Sequence, residues 1–363
     1  MASTSKTAIS ILSEIYNRRT IASPLPPIGL TSNTVPWELV RAAGFQPFLL
    51  SPRRTETPLA DRYMEDVFPA RIKNIFDLLL SPEAEALKAV VIPRTSEQEH
   101  KLYLYLREVM RQGLERPPLP ILYNLLHARS PEAQSYGLER TRALKSQLEE
   151  LAGRGVEPEA VRAAIEEGNA ARHAIRALLD LREGSSPKLS GTEALQLIGA
   201  WYFMDRTEYA TLAHEALLEI EARLPLTGPR ILIKGASQDN SDFTAAVEAH
   251  GAIVVAEDDW WGSRAAGDDI DLTQEPLEAI FEKYYSDAPS PRVFPAPIAD
   301  EWFRRKASEV DGVIFSLPPD DDVRGWDYPR LRDFLDERAI PHAMLRSACP
   351  EQIAEFLEIL AHG

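Results

Sequence analysis

Short apolar runs rich in Val, Ile and Leu recur in the first and last thirds of the chain. In the first third they are PFLLS from Pro47, KAVVIP from Lys88 and LPILYN from Leu119. In the last third they are RILIKG from Arg230, AIVVAED from Ala252, GVIFSL from Gly312 and PHAMLR from Pro341. The runs are continuous rather than alternating, the pattern of strands buried on both faces in a parallel sheet. Between most of them, apolar positions return at helical spacing. WELVRAAG and DFTAAVEAHG are two such stretches, and both end in Gly, the usual helix stop. Strands alternating with helices predict a doubly wound α/β fold.

The middle of the chain reads differently. From about Ala128 to Leu224 there is almost no strand signal. HAIRALLDLRE, GTEALQLIGAWYFM and YATLAHEALLEIEARL are helical by period, with the Ser-Gly-Thr around Ser190 as a cap. The expected plan is an N-terminal α/β lobe over 1–127, a helical segment over 128–225 and a C-terminal α/β lobe over 226–363. Two such Rossmann-like lobes would set strand C-termini and their loops around a shared cleft. An amphipathic helix opens the chain. ASPLPPIGL (Ala22 to Leu30) reads as a separator after it, and SDAPSPRVFPAPIAD (Ser286 to Asp300) as a long loop, because so many prolines resist helix and central strand.

Length and composition add outer bounds. At 363 residues the chain can hold two domains with real cores. Its formal net charge of -16 repels phosphate backbones, which argues against nucleic-acid binding. An anionic ligand would then need a local basic patch or a helix N-terminus. No apolar run reaches the ~20 residues needed to span a bilayer. The N-terminus lacks the apolar core of a secretory signal. Cys349 stands alone, so there is no intramolecular disulfide framework, and a reducing cytoplasm is the expected setting.

Standard chemical motifs are absent: no G-x-x-x-x-G-K-[ST], G-x-G-x-x-G, H-E-x-x-H or G-x-S-x-G occurs. The seven histidines are scattered and read as surface or helix-end residues. Three loops after predicted strands stand out. Arg94, Thr95 and Ser96 follow KAVVIP, at a turn where hydroxyls and N–H groups would face a cleft. A plain N-cap by Thr95 or Ser96, with Glu97 or Gln98 in the first turn, explains them equally well. EDDWWGSR (Glu257 to Arg264) follows AIVVA. Its tryptophan pair is costly to leave in water and should close a core or wall a ligand. Asp258 and Asp259 form an acidic pair that reads first as a solvated loop and second as a cation site. After GVIF, Asp320, Asp321 and Asp322 read as solvated or capping residues, and Gly325, Trp326 and Tyr328 as a structured turn before the next helix.

In this order and spacing the loops resemble the 2-hydroxyacyl-CoA dehydratase and benzoyl-CoA reductase subunit family, over most of the chain. The resemblance is carried by Pro36, Glu38, Leu39, Ala42, Ala43, Gly44 and Pro47 at the start. In the helical middle it rests on Asn169, Arg172 and Gly191, and at the acidic-pair loop on Asp258 to Arg264. The Gly-Trp-Asp-Tyr-Pro stretch from Gly325, with the later Ile340 and Pro341, is most similar to the benzoyl-CoA reductase branch.

The resemblance implies two related subunits, each with α/β lobes around a cysteine-held iron–sulfur cluster, acting on an acyl-CoA thioester with electrons from an ATP-hydrolysing activator. This chain departs from it at every cluster position. Where the family carries cysteines, it has Ser96, the pair Trp260 and Trp261, and Pro319 with Asp320. Cys349 matches no ligand position, and one thiolate cannot hold a four-iron cluster, which normally needs three or four protein ligands. The resemblance therefore implies a subunit binding no cluster or metal of its own, paired with a homologous subunit that carries a 4Fe-4S cluster and served by an ATP-dependent activator protein. The second reading is a repurposed homomer, either a non-redox acyl-CoA-binding protein or an enzyme with Arg94, Ser96, Asp258, Asp259, Arg264 and Asp320 as its polar groups. The third is a scaffold without catalysis.

Overall fold

A computed structural model describes residues 6–20, 23–235, 239–318 and 322–362. The strands are β1 (Pro27–Leu30), β2 (Gln46–Leu49), β3 (Ala89–Pro93), β4 (Leu119–Tyr123), β5 (Arg230–Gly235), β6 (Ile253–Glu257), β7 (Gly312–Ser316) and β8 (His342–Leu345). The helices run α1 (Ala8–Arg18), α2 (Trp37–Ala42), α3 (Pro58–Tyr63), α4 (Ala70–Leu80), α5 (Glu97–Arg111), α6 (Pro131–Ala152), α7 (Pro158–Glu183), α8 (Gly191–Gly199), α9 (Arg206–Glu221), α10 (Asp242–Glu248), α11 (Pro276–Ser286), α12 (Ala296–Ala307), α13 (Asp322–Asp336) and α14 (Pro350–His362). The chain falls into two units. One comprises Ile21–Asn169 and Asp268–Ala296; the other comprises Met1–Thr20, Ala170–Gly267 and Pro297–Gly363. The boundary passes through α7, so the central helices are divided between the two.

The first unit holds a four-stranded parallel sheet in the order β2-β1-β3-β4. Its β3 is buried at all five positions, as its Val/Ile run predicts. Ile75, Phe76 and Leu79 of α4 and Leu102, Leu106 and Val109 of α5 pack with Val90 and Ile92 into one core. The helix α2 stops at Gly44, whose φ of 91° suits glycine. Asn169 ties the α7 end of this unit to the loop before α11: its side chain donates to Ile270 O at 2.9 Å and accepts from Ile270 N at 3.0 Å.

One strand of this sheet is absent from the sequence reading. The proline-rich separator contains β1, which pairs in parallel with both β2 and β3 and is therefore central. Pro27 is its first residue, a position where a missing N–H costs the ladder little. The carbonyl of Pro27 is still used, accepting from Lys88 N at 2.9 Å.

The second unit holds a parallel sheet in the order β6-β5-β7-β8. Ile231, Ile233, Val254 and Ile314 pack with Phe356 and Leu357 of α14 on one side. Leu232, Phe315 and Val313 pack with Phe303 of α12 and Leu331, Phe334 and Leu335 of α13 on the other. Such two-sided burial requires the unbroken apolar strands seen in the sequence. Ser190 caps α8 as expected, accepting from Glu193 N at 3.1 Å. The stretch read as a turn around Gly325, Trp326 and Tyr328 is instead part of α13, which continues through Pro329. Tyr328 packs edge-on against Phe315 at 4.9 Å between ring centroids. The expected loop over 286–300 is shorter than read, since α12 begins at Ala296.

The α/β class with two parallel sheets is thus the one the apolar pattern predicts. Among the described residues no helix is long and apolar enough to cross a membrane.

Candidate functional site

In each sheet the strand order reverses between two neighbours, and ligands of open α/β sheets bind outside the strand C-termini at that point. In the β1–β4 unit the reversal lies between β1 and β3. The loop after β1 brings Thr31, Ser32 and Thr34 into the interior. Ser32 and Thr34 share a hydroxyl hydrogen bond of 2.6 Å. Arg71 of α4 donates to the Thr31 carbonyl.

The loop after β3 carries Arg94, Thr95 and Ser96. Ser96 is the N-cap of α5, accepting from Glu99 N at 3.2 Å, and its hydroxyl also donates to the Glu99 carboxylate at 3.2 Å. Thr95 donates to the same carboxylate. This is a capping box with a second hydroxyl added. Burial pushes the Glu99 carboxyl up, and Thr95, Arg71 and Ser96 only partly oppose it. Ser290 donates to Thr95 O at 2.7 Å, fixing the loop from the segment after α11. Arg94 lies 3.6 Å from Glu97, which also pairs closely with Arg292.

After β4, His127 is buried and not the surface or helix-end residue that the sequence suggests. Its pKa is pushed down to about 4, first by burial and then by the nearby positive charges of Arg292 and Arg129. Arg129 is itself held over the Tyr285 ring, 4.8 Å from its centroid, and donates to Ser286 O at 2.7 Å.

In the β5–β8 unit the loop after β6 is buried, not solvated. Asp258 and Asp259 are each 5% exposed. Burial disfavours charge on Asp258, but Lys234 and Arg264, the latter at 3.1 Å, outweigh it and hold the carboxyl below its ordinary range. Asp259 accepts from Trp261 N at 2.8 Å and from Gly262 N at 2.9 Å, closing a tight turn. Both carboxylates are thus engaged within the protein, and the cation-site reading loses its ligands. Glu257, the last residue of β6, pairs with Arg182 of α7, which also donates to Ser263 at 2.6 Å.

Of the two outcomes open to the tryptophan pair, Trp261 takes the core. It is fully buried against Tyr16, Tyr202, Phe203 and Trp260, with the Tyr202 ring centroid 4.7 Å away. Tyr202 donates to Trp260 O at 2.7 Å, and the Arg19 guanidinium lies 5.5 Å from the Trp261 ring centroid. The loop after β7, with Pro319 and Asp320, lies outside the described residues.

These residues do not fit a four-iron cluster. Ser96 is spent on a helix cap, Trp261 fills an aromatic core, and the single thiol, Cys349, donates to Glu351 at 3.0 Å. Among the described residues no group of three or more His, Cys, Asp or Glu could hold a metal ion.

Sequence reasoning placed Arg94, Thr95, Ser96, Asp258, Asp259 and Arg264 correctly at strand ends. It missed Thr31, because β1 hides among prolines. It also missed Arg182 and Glu257, whose signal was a lone arginine late in a long amphipathic helix and an acid closing an apolar strand.

Comparison with known proteins adds an independent result. The family model described as 2-hydroxyglutaryl-CoA dehydratase, D-component, matches residues 33–358. The chain is 23% identical over 331 residues to the (R)-phenyllactyl-CoA dehydratase beta subunit of Clostridium sporogenes, covering 88% of this chain and 86% of that one. It is 21% identical over 336 residues to the (R)-2-hydroxyglutaryl-CoA dehydratase subunit beta of Acidaminococcus fermentans, again covering 88% and 86%.

Proposed function

The chain belongs to the 2-hydroxyglutaryl-CoA dehydratase D-component family, and from that premise we propose that it is a cluster-free subunit of a dehydratase- or reductase-type complex acting on an acyl-CoA thioester. One observation carries the reading. The family match runs over 33–358, while the described positions where cluster cysteines are expected hold Ser96, which caps a helix, and the pair Trp260 and Trp261, of which Trp261 fills an aromatic core. A chain repurposed for its own redox chemistry would need replacement ligands there.

The relatives are named as beta subunits, which supports a role as one half of a heteromer. On this reading the partner is a homologous, cluster-bearing subunit. Electrons reach it from an ATP-dependent activator, and this chain contributes assembly and part of the thioester's surroundings. The Gly-Trp-Asp-Tyr-Pro stretch from Gly325 favours a complex of the benzoyl-CoA reductase kind, whose substrate is an aromatic acyl thioester.

The test is purification from the native cell under strict anaerobiosis, with iron analysis and identification of co-purifying chains. Recovery with a cysteine-bearing homologue that contains all the iron is the expected result. A stable, iron-free homomer without a partner would sink the proposal and favour a repurposed acyl-CoA-binding protein.

A further inference from the structure

We propose that the C-terminal edge of the β1–β4 sheet is a binding site for a phosphate group, free or carried as a monoester, held by Thr31, Arg94, Asn124 and His127. The inference is independent of the dehydratase reading, since it needs no partner and no thioester.

Its first support is an accumulation of unmet polar atoms. Most buried polar groups in folded proteins find a partner. Here Thr31 Oγ1, Arg94 Nε, Asn124 Oδ1 and His127 Nδ1 are buried and have none. Thr31 and His127 are fully or nearly fully removed from solvent, at 0% and 4% exposed.

Their placement is the second support. Thr31, Arg94 and Asn124 are each the first residue beyond a strand, and the strands β1, β3 and β4 are adjacent in the sheet. Two backbone bonds continue the ladders past the strand ends: Thr31 N to Val91 O at 3.4 Å and Arg94 N to Tyr123 O at 3.1 Å. Adjacent strands lie ~4.8 Å apart, so neighbouring strand-end side chains can converge on one small group. The site also sits where the strand order reverses.

Charge is the third. Four arginines, Arg71, Arg94, Arg129 and Arg292, surround this edge. Among the described residues they face Glu97 and Glu99, and the buried Glu38 of α2 acts on Tyr123 at the end of β4. Glu97 is already paired with Arg292, and burial of Glu99 favours its neutral form. The basicity of His127 is lowered first by its burial and then by the charges of Arg292 and Arg129, which places both arginines near its ring. An acidic protein thus keeps a local gathering of positive charge at this sheet edge.

The mixture of unmet atoms narrows the anion. Arg94 Nε–H is a donor, the Thr31 hydroxyl can donate, and Asn124 Oδ1 is an acceptor because its amide nitrogen donates to Tyr136 at 2.9 Å. A carboxylate can only accept. A hydrogen phosphate accepts through its charged oxygens and donates through its P–OH, so it can satisfy both kinds.

Calorimetric titration of the full chain with inorganic phosphate tests the proposal, with acetate, adenosine 5′-monophosphate and adenosine as further arms. Saturable phosphate binding is expected, with acetate at least ten-fold weaker. Arg94→Gln, whose side chain is partly exposed, should weaken binding by ten-fold or more, and the near-isosteric Thr31→Val by several-fold. If the monophosphate competes and adenosine does not, the group is carried as a monoester. If phosphate binds and the monophosphate fails to compete, the free ion is the ligand. Either result supports the site. No phosphate binding by the folded protein, equal binding by folded Arg94→Gln, or acetate binding as tight as phosphate would overturn it.

Discussion

Arg182 on α7 and Glu257 at the end of β6 form a two-pronged ion pair, with Arg182 Nη1 2.8 and 2.9 Å from the two carboxylate oxygens and both side chains essentially without solvent. The pair pins the start of the EDDWWGSR loop, because Arg182 also donates to Ser263 and Ser263 accepts from Glu257 N at 3.1 Å. Breaking such a pair from one side strands a buried charge and costs about 3–5 kcal/mol, whereas apolar replacement of both partners can be close to neutral. Arg182→Met and Glu257→Leu are each expected to lose about 3–5 kcal/mol. The double variant should recover a large part of the summed loss. Urea denaturation of the four proteins measures this, and strict additivity would refute it.

His127 makes a directional claim about pH. Its folded pKa of about 4 lies below the ordinary 6.5, so the folded protein prefers the neutral ring. Between pH 6.5 and about 4 the unfolded chain takes up a proton that the folded chain refuses, and stability from this residue falls as pH falls through that window. Glu257 acts in the opposite sense. Its carboxyl is pushed up to about 7 by burial, against the pull of Arg182, so its contribution is full below pH 4.5 and is lost as pH rises through 7. In a histidine-resolved NMR titration, the His127 ring should stay neutral down to about pH 4. A midpoint near 6.5 in the folded protein would contradict the burial and charge argument together.

Ser96 is a direct test of the capping reading. Removing an N-cap hydroxyl costs about 1 kcal/mol. Ser96→Ala additionally takes one donor from the buried Glu99 carboxylate. The expected loss is about 1–2 kcal/mol, read as a shift in urea midpoint with an unchanged slope. Ser96→Thr keeps the hydroxyl and should stay near wild type. Full stability of Ser96→Ala would mean that the loop is held by Ser290 and Thr95 alone.

The parts of this molecule that were legible in its sequence share a physical cause. Buried parallel strands are largely apolar, so seven of the eight strands announce themselves as short apolar runs, five of them with Val or Ile, and Gly44 and Gly251 mark the helix ends they follow. β1 did not, because Pro26 and Pro27 mask a strand only four residues long. Capping is local chemistry, and Ser96 could be read from S-x-x-E spacing. Ion pairs are not local: nothing near Arg182 in sequence indicates Glu257, 75 positions later. For the same reason Asp258 read as a solvated acid, because its partners Lys234 and Arg264 meet it only after the strands have been set side by side.

A cysteine would meet very different surroundings at the positions where the family carries one. Ser96 and the pair Trp260 and Trp261 stand where the family resemblance places cysteines, and Ser96 and Trp261 are embedded very differently. Ser96→Cys exchanges one small polar cap for another and should cost about 1 kcal/mol. Trp261→Cys empties the centre of an aromatic cluster, where the indole touches Tyr16, Tyr202 and Phe203 and is fully buried. Truncating a buried tryptophan costs about 3–5 kcal/mol, and the cavity relaxes only in part. The vacated space would also lie beside the Arg19 guanidinium, 5.5 Å from the present ring centroid, which is poorly placed in an apolar void. The thermal midpoint should therefore fall far more for Trp261→Cys than for Ser96→Cys. Equal falls would mean that the Trp261 indole contributes no more than a helix cap and would contradict its place in a packed aromatic core.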